Sequence, residues 1–170
     1  MKEIFTAFQA AIAAQVPAVK FTDFDLGQLD VANPPVSFPC TLLAFTGSEI
    51  SVIGTVNEEE TVVIEVATAF RLRERTHSVA NSTYRDEALT HLDTVEAVRL
   101  ALSGLSGTTF TALQYRGFTL DRRADLRVYR QHFDTSYYAE PSGENTPQYV
   151  PWPNPTGPDL CVHPDIDTGQ

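Results

Sequence analysis

The chain is poor in basic residues: twelve lysines and arginines stand against twenty-two acids, a formal net charge of −10. That deficit argues against sequence-independent nucleic-acid binding, which needs cations in excess over phosphate. It favours solubility and suits a wall that repels DNA. Cysteine is nearly missing too. Cys40 and Cys161 are far apart and form no paired metal-ligand motif. A disulfide between them is conceivable, but free thiols are the better reading on compartment grounds. No apolar run approaches the ~18 residues that a membrane-spanning helix needs. The opening Met1-Lys2-Glu3-Ile4-Phe5 carries an acid early and lacks the apolar core and cleavage site of a secretory signal. The expectation is a soluble protein made in a cytoplasm, with no membrane partner.

Catalytic motifs are missing as well. There is no Gly-x-Ser-x-Gly, no phosphate-binding glycine loop and no paired-carboxylate signature. The four histidines, His77, His91, His132 and His163, form no H-x-x-x-H pair. Cys161-Val162-His163 is a weak metal signal. His91 reads as a solvated helix residue, and His132, next to Phe133, as partly buried or at an interface. Asp121, Asp125 and Asp134 surround one hairpin and can converge on a cation, although solvating the turn is the favoured role for the first two. The expectation is a protein that is not an enzyme, with no cofactor and no metal.

What is present is a clear alternation of patterns. Ile4, Phe5, Phe8, Ile12 and Val16 recur at helical spacing, with alanines between them, up to Pro17. Residues 20–35, with three aspartates, Gly27 and Pro34-Pro35, read as a loop. Val36, Phe38, Cys40 and Leu42 begin a strand, residues 45–49 carry turn chemistry, and Ile50-Ser51-Val52-Ile53 resumes as strand. After a charged turn at residues 57–60, Val62, Ile64, Val66, Phe70 and Leu72 share one face of a long strand, with Glu65, Arg71 and Arg73 opposite.

A second helix is expected over residues 84–105, with Leu89, Leu92, Val95, Val98, Leu102 and Leu105 as its buried stripe and Gly104 and Gly107 at its end. Strands over residues 108–120 and 125–138 close the body around a turn at residues 121–124. The fold class is α+β: an antiparallel sheet with two helices on one face, in the order α-β-β-β-α-β-β. Beyond residue 138 the composition changes. Seven of the eleven prolines fall here, from Pro141 to Pro164, so residues 139–170 read as an extended Pro-rich arm after a 1–138 domain.

The element order resembles that of the tail-terminator, or tail-completion, proteins of long-tailed bacteriophages. The likeness is carried by Leu92-Asp93-Thr94-Val95-Glu96-Ala97-Val98 leading to Leu102 and Leu105. It is carried equally by the closing run from Asp125-Leu126-Arg127-Val128-Tyr129 through Phe133-Asp134-Thr135-Ser136-Tyr137, where a tyrosine and a phenylalanine stand four apart after an acidic turn. It covers residues 1–138 as a pattern of elements, without a signature motif. The resemblance implies a virion protein of the tail, a homo-oligomer in a hexameric ring at the head-proximal end. Its partners would be the tail tube protein and the head connector or neck protein, and DNA would pass through the ring without specific binding. The arm departs from the compact members of that group.

Arg71, Arg73 and Arg75 are the candidates for a subunit or partner interface. Trp152, between Pro151 and Pro153, is the candidate anchor in the arm, since tryptophan is favoured at binding hot spots. Two other readings stand beside this one. A neck protein also forms rings, and a small-molecule-binding α+β domain would use the acids around Asp121 and Asp125.

Overall fold

Apolar side chains on a 3.6-residue period make the first element a helix. In the computed structural model, α1 spans Lys2–Gln15 and buries Ile4, Phe8, Ala11 and Ile12. Val16, just past its end, is 2% exposed. The structure describes residues 1–53, 57–71, 85–122 and 125–138, the side chains of residues 51–53, 57–59, 87 and 88 excepted.

The remaining elements are β1 (Phe21–Phe24), a 3-10 turn (Gln28–Asp30), β2 (Cys40–Ile53), β3 (Asn57–Arg71), α2 (Arg85–Leu102), β4 (Gln114–Arg122) and β5 (Leu126–Tyr137). The strands form one sheet in the order β1-β2-β3-β5-β4. The α+β class and the order of two helices and five strands are as the sequence predicts. All neighbouring strands are antiparallel except β1, which runs parallel to β2.

Three local expectations are corrected. First, Phe21–Phe24, inside the expected loop, is a strand. Each of its residues pairs with β2, from Phe21 with Cys40 to Phe24 with Leu43. Second, the two strands expected around a turn at residues 45–49 are one strand. The Gly47-Ser48 signal marks a bulge: Phe45 faces Ile64 and Gly47 faces Val63, leaving Thr46 as the extra residue. Third, residues 57–60 belong to β3, paired with β2 from Ile53–Asn57 to Ile50–Glu60, and do not form a turn.

The core lies between the sheet and the helices. Ile4, Phe8 and Ile12 of α1 meet Val98 and Leu102 of α2 over Leu43, Val62, Ile64, Val66 and Phe133. Each such side chain contributes roughly 1.5–3 kcal/mol by leaving water. Phe5 stacks on Phe24 with ring centroids 3.7 Å apart, tying the helix to the β1 edge. The α2 stripe is rotated from the expected one. Thr94, Val98, Ala101 and Leu102 are buried, whereas Leu92 is 44% exposed. Leu92 lies six residues before Val98, far round a helix of 3.6 residues per turn, so it points away from the sheet.

A second, smaller core sits on the opposite face. Leu29, Cys40, Leu42, Ala67, Ala69, Leu126 and Val128 cluster there, with Phe21, Val36 and Phe38 against them. The segment between β1 and β2 supplies this cover. It turns at Gly27, whose φ of +83° is left-handed, and delivers Leu29 into the apolar layer. At the far end of α2, Gly104 takes φ +83° and its N–H donates to the Leu113 carbonyl; the helix ends at Leu102, short of the expected Leu105. Among the described residues no helix is long and apolar enough to cross a membrane.

Candidate functional site

Strand alternation places charged side chains on the face opposite the helices. Glu65 of β3 pairs across the ladder with His132 of β5, and Ala67 with Arg130. The Arg130 guanidinium donates to Glu65 Oε1 at 2.5 Å, and lies 3.7 Å from Asp25 and 3.8 Å from Asp121. His132 Nδ1 stands 3.9 Å from the other Glu65 oxygen, and its Nε2 is 3.5 Å from the Thr119 hydroxyl. Further along, Arg116 makes a two-pronged pair with Asp134, both bonds at 2.6 Å. Three carboxylates round one guanidinium leave the centre of this face negative. Half-buried pairs of this kind orient strands and fix register; they offer no activated nucleophile.

The helix side holds a second polar group. His91, half-buried on α2, has Nε2 3.0 Å from the Tyr129 hydroxyl and 3.0 Å from Arg127 Nη1. A guanidinium can only donate, so in the Arg127 contact Nε2 is the acceptor, with the Tyr129 hydroxyl beside the same atom. The Phe70 ring packs against the imidazole edge at 5.7 Å. The expected solvated role for His91 is thereby corrected: the residue lies one turn before Thr94 on the buried side of α2. Gln131, 1% exposed, donates from Nε2 to the Val95 carbonyl at 3.1 Å and bolts α2 to β5.

The acidic trio does not converge. Asp121 pairs with Val128 near one end of the β4–β5 ladder, Asp134 with Gln114 at the other, and Asp125 is exposed. Among the described residues no group of three or more His, Cys, Asp or Glu side chains is placed to hold a metal ion. His132 is half-buried, as expected. Arg71 is exposed at the end of β3, with its guanidinium carbon 5.9 Å from the Phe38 ring centroid. Arg73, Arg75 and Trp152 lie outside the described residues, as do His77, His163 and Cys161. The grouping of Asp25, Glu65, Asp121 and Arg130 was not singled out from sequence. Alternation put Glu65 on the outer face, but nothing in the chain order brings Asp25 to it.

Both sides of the sheet end in strand edges. β1 covers β2 only over residues 40–43, so residues 44–53 of β2 have no outer neighbour among the described residues. The β2–β3 ribbon also outruns β5, whose ladder with β3 stops at Glu60–Tyr137. β4 is the last strand on the opposite side.

No family model matches the chain, and no curated protein matches it. Among solved structures, one match is a chain of the virion of a native gene transfer agent particle. It is 17% identical with a TM-score of 0.39, over 80% of this chain and 92% of that one.

Proposed function

We propose that the chain is a structural virion protein that forms a ring at the head-proximal end of a phage tail. There it stops growth of the tail tube and joins the tail to the head connector. The observation that supports this reading is the element order α-β-β-β-α-β-β, closed by the Leu126–Tyr137 strand. That order is the pattern on which the resemblance to tail terminators rests. The long β2–β3 ribbon, extending past its neighbours, gives such a subunit a reach beyond its own core.

In this reading residues 1–138 make the body of each subunit, a homo-oligomer of six. Arg71, Arg73 and Arg75 lie at the rim or between subunits, and the arm carries Trp152 to a partner. The tail tube protein and the head connector are the neighbours, and DNA passes through the acidic ring without being bound. The test is electron microscopy of phage lacking the gene. Overlong tails that fail to join heads are expected; tails of normal, uniform length on full heads would reject the role. Intact tails beside heads that never join them would point to a neck protein.

A further inference from the structure

We infer that copies of this chain join head to tail, the β4 edge of one subunit meeting, on the next, the stretch of β2 that has no outer neighbour among the described residues. The inference takes ring closure from the function proposed above, but the contact itself rests on separate observations. The two edges belong to one sheet and lie on its opposite sides. A surface on one side that fits a different surface on the other makes a heterologous contact, the kind that builds rings.

The two edges also match in length. A bulge at Thr46 leaves residues 47–53 of β2 as a regular edge, and a bulge at Arg116 leaves residues 117–122 of β4. Bulges of this kind limit indiscriminate pairing and define where an edge is usable. Among the described side chains, each segment carries a large exposed apolar one: Ile50 is 61% exposed and Phe118 58%. Ile50 faces Glu60, and Phe118 faces Gln131, so both sit on the helix-bearing side of the sheet. A sheet continued from one copy to the next would bring them to the same side.

Charge selects the partner. From residue 44 to 65 the chain has Glu49, Glu58, Glu59, Glu60 and Glu65, and no lysine or arginine. From 114 to 130 it has Arg116, Arg122, Arg123, Arg127 and Arg130, five of the chain's twelve basic residues, against Asp121 and Asp125. Arg116 leaves 58% of its side chain exposed even while paired with Asp134, and Arg122 is exposed. Glu65 and Arg130 pair with each other within one molecule, which leaves Glu49 and Glu60 on the ribbon and Arg116 and Arg122 on the hairpin to attract between copies and to disfavour face-to-face dimers.

The experiment is sedimentation velocity over a concentration series, at low and high salt, with melting curves to show that each variant folds. The wild type is expected to associate, less so at high salt. Glu49→Arg with Glu60→Arg, and separately Arg116→Glu with Arg122→Glu, are each expected to sediment as monomers. Their equimolar mixture is expected to recover association, because each then offers the other a complementary edge. Should the arginine variant melt early, Phe118→Glu tests the same edge through an exposed side chain. Association that persists in both charge variants, or a mixture that stays monomeric, overturns the contact. A wild type that is monomeric at every concentration also overturns it. The ring itself is judged separately by the tail micrographs.

Discussion

Glu3 and Thr109 are joined although 106 residues separate them: the Glu3 carboxylate accepts the Thr109 hydroxyl at 2.5 Å and its backbone N–H at 3.1 Å. The neighbouring Thr108 N–H adds a bond at 2.7 Å. The first turn of α1 thus holds the loop that follows α2. These hydrogen bonds, that of the Thr109 side chain foremost, lower the Glu3 pKa below its usual 4.5. A carboxylate depressed in the folded state contributes stability above its unfolded pKa and loses it as pH falls through the folded value. Glu3→Gln should therefore melt lower than wild type at neutral pH, and the gap should close below about pH 4. A gap that stays constant from pH 7 to pH 3 would show that the charge plays no part.

Gly107 sits inside the same clamp. A Cβ there would overlap the edge of the Phe110 ring and come within 2.7 Å of Glu3 Oε1. Phe110 is 2% exposed and has little room to yield. Gly107→Ala should cost about 1–3 kcal/mol, the range for overpacking, in urea denaturation. An unchanged midpoint would mean that the loop moves aside freely.

The rotated stripe of α2 gives a sharp contrast between two leucines. Leu102 is fully buried and Leu92 is 44% exposed. Leu102→Ala should cost about 2–5 kcal/mol. Leu92→Ala, expected from spacing alone to cost as much, should stay within about 0.5 kcal/mol. Equal losses in the two variants would restore the unrotated helix face.

Cys40 is free, buried and packed in the smaller core, where burial pushes its thiol up to about 11. Thiolate is the reactive form, so the side chain should be inert in the native protein. In a Cys161→Ser variant, an aromatic disulfide reagent at pH 8 should release almost no thiolate until denaturant is added. Prompt stoichiometric reaction in native buffer would contradict the buried placement.

How far the sequence spoke can be read from individual residues. Ile4, Phe8 and Ile12 announced α1 because a full helical stripe leaves no competing period. Val62, Ile64 and Val66 against Glu65 fixed the faces of β3 for the same reason with a period of two. Gly47-Ser48 misled because turns and bulges use the same residues, and only a partner strand tells them apart. Phe21–Phe24 was hidden because four residues between aspartates and prolines carry too little pattern; its strand character comes from Cys40–Leu43 beside it. The charge cluster around Arg130 was illegible for a related reason. Its members come from a loop and three strands, and convergence is a property of the sheet order.

The two cores make β3 a cantilever. At its root, Ala67 and Ala69 lie in one apolar layer while Val62, Ile64 and Val66 face the other. Toward Asn57 its neighbours among the described residues thin to β2 alone. Amides at the root open only when the whole domain opens, whereas those at the tip fray locally at small cost. A ribbon clamped at one end and free at the other keeps its direction while its tip adjusts, so a surface it meets can shape the tip without loosening the root.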